Sequence, residues 1–174
     1  MMTEQDVSIL LPVCNGAKTL RRAVESICAQ TYLQTPMVDV EIVAVYNGCT
    51  DDSVNVGCEL ARQIHEDQIS GRWKGHLWLF KHNMSEQKAG IVPALNYAIR
   101  HSDNPFIARQ DADDFWHPEK LALQMNFLKD HPEVAVLGTQ IRLVHPETFE
   151  PVLIQTPKPL SHHGCVHGLM SGDN

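Results

Sequence analysis

Three carboxylates, Asp111, Asp113 and Asp114, occupy four consecutive positions directly after a short apolar segment. Carboxylates this close repel one another, and they persist most easily at a surface or beside a neutralising cation. The preceding segment, 106–110, has the composition of a β-strand. In parallel α/β sheets, ligands bind beyond the carboxyl ends of the strands. The cluster therefore predicts a hard divalent metal holding an anionic ligand, such as a nucleoside diphosphate.

A solvated loop whose last acid caps a helix is the alternative interpretation of this cluster. It suits Asp114, but capping needs only one acid, so it accounts less well for Asp111 and Asp113. Two roles are open for the neighbouring Arg109. It can form a structural ion pair with these carboxylates, or it can donate to phosphate oxygens.

Two further loops, 13–17 and 46–52, are expected at the same edge of the sheet, where loops build the ligand site of open α/β folds. The residue types in 46–52 also suit a plain turn followed by a helix cap. The residues that these two loops offer to a ligand are Pro12, Asn15, Gly16, Asn47, Thr50 and Asp51.

The elements that must position these loops follow from hydrophobic periodicity. Strands are predicted at 7–13, 38–46, 77–80, 106–110 and 134–137. Helices are predicted from Asn15 or Gly16 to Cys28, from about Thr50 to Ile69, over 91–99, and from His117 to about Asp130, with Pro118 in its first turn. This alternation predicts an α/β fold with a mostly parallel sheet flanked by helices on both faces.

Composition narrows the classes of function. The 174 residues carry a net charge of −7, from 14 Lys and Arg against 21 Asp and Glu. This balance argues against nucleic-acid binding, which needs a basic face. Five scattered cysteines without a C-x-x-C pair indicate free thiols in a reducing compartment. Because the sequence shows no signal peptide and no long apolar run, we expect a cytoplasmic protein.

Other nucleotide-binding classes fit less well. G-x-G-x-x-G and G-x-x-x-x-G-K-[ST] motifs are absent from the sequence. A sugar-nucleotidyltransferase needs a glycine-rich, cationic loop after the first strand, and residues 14–18 are poor in both. A receiver-like domain needs its acids clustered after the first and third strands, and this sequence does not have them there. Lys88, near a predicted helix start, is interpreted as a surface residue. We treat the possible metal-ligand string His162, His163, Cys165 and His167 as chance.

The segments described above together resemble the family-2 glycosyltransferases of the GT-A (Rossmann-like) fold. The similarity covers roughly residues 7 to 145 in collinear order, and Asp111 to Asp113 match the D-x-D motif of the family. A lone D-x-D motif is weak evidence for the family. Four matching segments, in the same order as in the family and on the same strands, loops and helices, are specific evidence.

The resemblance implies transfer of a sugar, with inversion, from a nucleoside diphosphate donor to a saccharide or lipid-linked acceptor, a reaction typical of polysaccharide biosynthesis. It implies Mg²⁺ or Mn²⁺ at Asp113, with Asp111 as a further ligand. Asn47 stands where the family usually has an aspartate that holds the base, and a UDP-sugar is the expected donor. The donor-binding residues it implies are Pro12, Val13, Asn15, Asn47, Arg109, Asp111 and Ala112.

The catalytic base of the family lies well beyond the D-x-D motif, and no residue here is assigned to it. We expect residues 1–145 to form the nucleotide-sugar-binding core and 146–174 to begin an acceptor-side region that is incomplete at its C-terminus. Peripheral membrane association through a segment outside the sequence, at the inner face of the membrane, stays open. A non-catalytic module that only binds nucleotide is the alternative function.

Overall fold

The chain divides into two compact units, one ending at His131 and the other beginning at Pro132. The elements of the first unit, in chain order, are β1 (Val7–Val13), α1 (Leu20–Cys28), β2 (Asp39–Tyr46), α2 (Ser53–Ile69), β3 (His76–Asn83), α3 (Ile91–Arg100), β4 (Phe106–Arg109) and α4 (Lys120–Asp130). The computed structural model describes residues 5–83, 90–139, 141–145, 148 and 150–155.

The sheet of the first unit has the strand order β3-β2-β1-β4, and each neighbouring pair is parallel. β1 pairs with β2 from Val7 opposite Val40 to Val13 opposite Tyr46, and with β4 up to Leu10 opposite Arg109. The carboxyl ends of β1, β2 and β4 therefore lie side by side. The predicted mostly parallel α/β sheet is confirmed.

Successive residues of a strand point to opposite faces of the sheet, and here the residues on both faces are apolar. Helices therefore cover both faces. On one face, Ile9, Leu11 and Ile42 pack in the main core with the apolar sides of α1, α2 and α4. On the opposite face, Leu10, Val43 and Val45 pack against Ala94 and Ala98 of α3. The sheet is thus a rigid support, and the loops after its strands present the polar groups.

Two helices begin later than predicted, because loop contacts use the residues assigned to their first turns. Asn15 adopts a positive φ of 53°, and α1 starts only at Leu20. The carbonyl of Pro118 accepts from the backbone N–H of Thr31 (2.9 Å), and α4 starts at Lys120. In both places the chain forms hydrogen bonds to a distant segment before it turns into a helix.

The second unit contains an antiparallel hairpin of β5 (Ile141–Val144) and β6 (Pro151–Gln155). The predicted strand at 134–137 is wrong, since no strand is found there and Val136 is 89% exposed. A short apolar run becomes a strand only where another strand pairs with it. Here β6 pairs with segment 141–144 and not with 134–137.

Candidate functional site

A cavity of about 420 Å³ opens at the carboxyl edge of the sheet. Three segments meet around it: the first loop (14–19), the second loop (47–52) and the acidic turn (110–114). The start of α3 provides a further wall. The described residues that line the cavity are Pro12, Val13, Cys14, Asn15, Gly16, Thr19, Asn47, Gly90, Ile91, Ala94, Asp111, Ala112 and Asp113.

Nearly every residue predicted for donor or metal binding lies at this cavity. The exception is Arg109, which is not among the described lining residues but is bonded to one of them. Its Nε donates to Oδ1 of Asp111 (2.9 Å) and its Nη2 donates to Oδ2 (2.8 Å). Of the two roles left open for Arg109, the structure shows the ion pair. The ligand-binding roles themselves stay predictions.

The acidic turn contains three carboxylates in three different situations. Asp111 is paired with Arg109. Within the described part of the chain, Asp113 makes no hydrogen bond or ion pair, and it faces the cavity. Partial burial raises the pKa of Asp114, and the nearby charges of Asp113 and Asp111 raise it further, while Arg109 opposes this. Asp113 is therefore the carboxylate with the greatest capacity to accept a cation.

This donor set suits a hard divalent cation, because carboxylate oxygens are the ligands that Mg²⁺ and Mn²⁺ prefer. Among the residues that the structure describes, no group of three or more His, Cys, Asp or Glu side chains is arranged to hold a metal. At this turn the described residues offer a cation the carboxylate of Asp113, and that of Asp111 if it turns from Arg109. Mg²⁺ at phosphate sites usually takes its other ligands from the phosphates and from water.

Asn47 connects β2 to the wall formed by α3. Its backbone N–H donates to the carbonyl of Val13 (3.0 Å), and its side-chain Nδ2 donates to the carbonyl of Gly90 (3.1 Å). Asn47 is only 8% exposed. Gly90 precedes α3 with a φ of 100°, a conformation that favours glycine. An asparagine can make this bond to a carbonyl, whereas an ionised aspartate has no donor for it.

Sequence reasoning missed the contribution of α3 to the cavity. Gly90, Ile91 and Ala94 line it, as do Cys14 and Thr19 of the first loop. The missed signal was the chain direction: the helix after β3 must start at the same edge as the other loops, because all four strands are parallel. Lys88 and the His162–His167 string lie outside the described residues.

Three polar side chains hold the acidic turn and the segment that follows it, and two of them, Gln30 and Gln110, are buried. Gln110 is 1% exposed and its Nε2 donates to the carbonyl of Asp111 (2.9 Å). Gln30, two residues after the end of α1, donates to the carbonyl of His117 (2.8 Å) and accepts from the N–H of Leu121 (2.9 Å). Ser26 accepts from the N–H of Trp116 (3.0 Å). These contacts fasten the segment between the acidic turn and α4 to α1.

The sheet order, the helices on both faces and the acidic turn at the carboxyl edge define a GT-A class α/β domain. The chain belongs to glycosyl transferase family 2, whose family model matches residues 8–158. The predicted family and fold are thereby confirmed. The described residues contain no helix long and apolar enough to span a membrane.

Individual proteins agree with this assignment. The chain is 29% identical over 175 residues to an uncharacterized glycosyltransferase of Rickettsia felis, covering 93% of this chain and 26% of that protein. It resembles the crystal structure of S. aureus TarS 1–349 in complex with UDP, with a TM-score of 0.58 and 20% identity over 73% of this chain and 33% of the other.

A third similar protein is the mannosyltransferase PcManGT from Pyrobaculum calidifontis, whose structure is in complex with GDP-Man and Mn²⁺. Its TM-score is 0.57 with 25% identity, over 72% of this chain and 32% of that one. The chain thus spans about a quarter to a third of the length of these proteins.

Proposed function

We propose that the chain forms the donor site of a glycosyltransferase, which transfers a sugar from a nucleoside diphosphate sugar to a saccharide or lipid-linked acceptor. One observation carries this proposal. The unpartnered carboxylate of Asp113 lies in a cavity whose walls are the loops after β1 and β2 and the start of α3. A site of this kind accommodates an uncharged nucleoside beside a diphosphate that reaches the acid through a cation.

The residues of the cavity divide between these two parts of the donor. Pro12 and Val13 provide an apolar wall for the nucleoside, and Asn47 provides hydrogen-bonding groups near it. Asp113 would hold Mg²⁺ or Mn²⁺, with Asp111 as a further ligand. Arg109, paired with Asp111, contributes a positive charge at the acidic turn. Ala112 keeps the turn between the two acids small.

Mg²⁺ or Mn²⁺, when bound, would stabilise the negative charge on the departing diphosphate. The residues of this chain orient the donor so that an acceptor hydroxyl can attack the sugar from the opposite side, which inverts its configuration. We assign no described residue as the base that deprotonates the acceptor. We propose residues 1–145 as the donor-binding core and 146–174 as the start of the acceptor side.

We propose a UDP-sugar as the donor, with GDP-sugars as the competing class. Two proteins of this fold carry UDP and GDP-Man respectively, so the fold alone does not select the base. We expect the residues that contact the nucleoside to select the base, among them Asn47, whose side chain donates a hydrogen bond to the carbonyl of Gly90. The resemblance to the family favours UDP, because it implies a uridine pocket at Pro12 and its neighbours, and Pro12 and Val13 line this cavity.

Calorimetric titration with UDP, GDP and ADP, each with and without Mn²⁺, tests the proposal. We expect Mn²⁺-dependent binding that favours UDP. Binding of GDP over UDP would move the donor class without changing the enzyme class. If ADP binds as well as UDP, or if no nucleotide binds with Mn²⁺ present, the proposed donor site is wrong.

A non-catalytic nucleotide-binding module is the second candidate, and one observation favours it. The two carboxylates among the described lining residues, Asp111 and Asp113, both belong to the acidic turn, so the described lining offers no separate carboxylate base. This candidate predicts Mn²⁺-dependent binding of UDP-sugars without release of UDP when a panel of saccharide and lipid-linked acceptors is supplied. Acceptor-dependent release of UDP would exclude it.

A further inference from the structure

The first and second loops are joined by a compact set of hydrogen bonds at the mouth of the cavity. Oδ1 of Asn15 accepts from the backbone N–H groups of Thr50 (2.7 Å) and Asp51 (3.3 Å). In the other direction, Oδ2 of Asp51 accepts from the N–H of Ala17 (2.9 Å). The two loops therefore hold each other through reciprocal side-chain to backbone bonds.

Ser53 adds a third connection between these loops. Its Oγ accepts from the N–H of Gly16 (2.8 Å) and donates to Oδ1 of Asp51. Ser53 is fully buried. The hydroxyl of Ser53 and the N–H of Ala17 lower the pKa of Asp51, because both donate to its ionised form. Asp51 and Ser53 thus act as one unit on the backbone of residues 16 and 17.

This unit acts on a backbone segment that lies against the acidic turn. A Cβ placed on Gly16 would lie 3.4 Å from Cβ of Ala112, the residue between the two predicted metal ligands. The Gly16 backbone is therefore in near contact with the turn, and any outward shift of the first loop changes the gap between Asn15 and Asp113 across the cavity. Asp51 and Ser53 are not among the described residues that line the cavity.

We propose that Asp51 and Ser53 are positioning residues of the donor site, which hold the Asn15–Ala17 backbone at the distance from the acidic turn that a nucleoside diphosphate requires. The inference rests on the proposed function, and it adds two residues that act without touching the ligand. Asp51 is exposed, so its carboxylate holds the first loop without being part of the hydrophobic core.

Two variants of one residue separate positioning from general stability. Asp51→Ala removes the acceptor for the Ala17 N–H. Asp51→Asn keeps one acceptor oxygen for the Ala17 N–H, and it loses the charge and the second oxygen, which accepts from Ser53. Asp52→Ala is the matched control, because Asp52 has the same charge and its side chain bonds only locally, accepting from Asn55 (2.6 Å). Ser53→Ala tests the third connection.

Two measurements are made on each variant: amide hydrogen exchange of Gly16 and Ala17 by NMR without ligand, and calorimetric affinity for UDP with Mn²⁺. We expect Asp51→Ala to speed exchange at Ala17 and to weaken UDP binding at least roughly tenfold. Asp51→Asn should retain more of both than Asp51→Ala does, and Asp52→Ala should change neither. Ser53→Ala should speed exchange at Gly16.

The outcomes distinguish this inference from the proposed function. If the unaltered protein binds UDP and Asp51→Ala binds it equally well, the positioning role is overturned and the function stands. If the unaltered protein binds no nucleotide, the function fails, while the exchange data still decide whether Asp51 holds the first loop. Equal losses of affinity in Asp51→Ala and Asp52→Ala would indicate a general charge effect and would overturn the proposal.

Discussion

Arg109 and Asp111 form a two-pronged ion pair at the carboxyl end of β4, with Nε–Oδ1 and Nη2–Oδ2 distances of 2.9 and 2.8 Å. The pair joins the last strand residue to the first acid of the acidic turn. Among the described residues, the side chains of Asp113 and Asp114 make no ion pair or hydrogen bond, and of these two only Asp113 lines the cavity. The guanidinium of Arg109 thus pairs with Asp111 and not with Asp113, although the two acids are only two positions apart.

Replacing Arg109 with methionine should raise the pKa of Asp114 further. Arg109 opposes the effect of burial and of the two neighbouring acids on this carboxyl, so its removal leaves those effects uncompensated. Carboxyl titration by NMR measures the shift. Because the side chains of this pair are partly exposed to solvent, the free energy of unfolding should fall by no more than about 1 kcal/mol. Arg62→Met, in an exposed pair with Glu66, is the control and should leave Asp114 unchanged.

Replacing Asp113 with asparagine should abolish the Mn²⁺-dependent part of nucleotide binding and leave the fold intact. The unliganded protein loses no hydrogen bond or ion pair of Asp113 in its described part, and it loses one charge from a repelling cluster. Calorimetry with and without Mn²⁺ and a thermal melt test both statements. Asp103→Asn, at an exposed acid before β4, serves as control. Retained Mn²⁺-dependent affinity would show that Asp113 is not a ligand.

Nucleotide should protect Cys14 from alkylation. Cys14 is exposed and lines the cavity, whereas Cys58 is exposed on α2 and is not among the described lining residues. With UDP and Mn²⁺ at ten times the dissociation constant, labelling of Cys14 should slow roughly tenfold. Peptide mass spectrometry follows each thiol separately. Cys28 should stay unlabelled, because burial raises its pKa to about 12. Equal protection of Cys14 and Cys58 would contradict a ligand in this cavity.

Gly57→Ala should destabilise the protein through Tyr46. A Cβ at Gly57 would lie 1.7 Å from the Tyr46 Oη, which is buried and finds no hydrogen-bond partner in the described structure. We expect a loss of about 2 kcal/mol in the free energy of unfolding. Tyr46→Phe should be neutral or stabilising and should recover part of that loss in the double variant. Urea unfolding of all three variants measures the coupling.

The control for this prediction is Gly138→Ala, where an added Cβ meets nothing within 4 Å. It should change stability little. Additive effects of Gly57→Ala and Tyr46→Phe would show that the phenol is not what excludes a side chain at position 57.

Stability should rise with pH through the titration of Lys120. Its Nζ donates to Oε1 of Gln124 (2.7 Å) and lies 4.1 Å from the centroid of the Trp116 ring, and burial lowers its pKa to about 8. The unfolded chain retains the ordinary value of 10.5, so between these values it binds more protons than the folded protein. The free energy of unfolding should therefore increase with pH in this window.

Urea unfolding across this pH window, for the unaltered protein and for Lys120→Met, isolates the contribution of this one group. As pH rises, the free energy of unfolding of the unaltered protein should increase relative to that of Lys120→Met. A constant difference would mean that the Trp116 ring and Gln124 fully offset the effect of burial on the ammonium group.

The architecture followed from sequence because the relevant signals are local. The β-branched runs 7–13 and 38–46 are long enough to be buried strands, and they became neighbours in a parallel sheet. The acidic residues followed a strand directly, and parallel strands place such residues at one edge. The hairpin of β5 and β6 was missed because its pairing depends on contacts across a turn, which periodicity in either segment does not reveal.

The amino-acid sequence by itself determined the four strands of the parallel sheet, the loops that follow them, and the acidic turn at the end of β4. Tertiary structure decided what each polar side chain does. The pairing of Arg109 with Asp111, the bond from Asn47 to Gly90 and the hold of Asp51 on Ala17 were not predictable from residue type, since each side chain had several partners of suitable chemistry. Hydrophobic periodicity reports burial along one element, whereas hydrogen bonds between loops depend on distances that exist only after the sheet has brought the loops together.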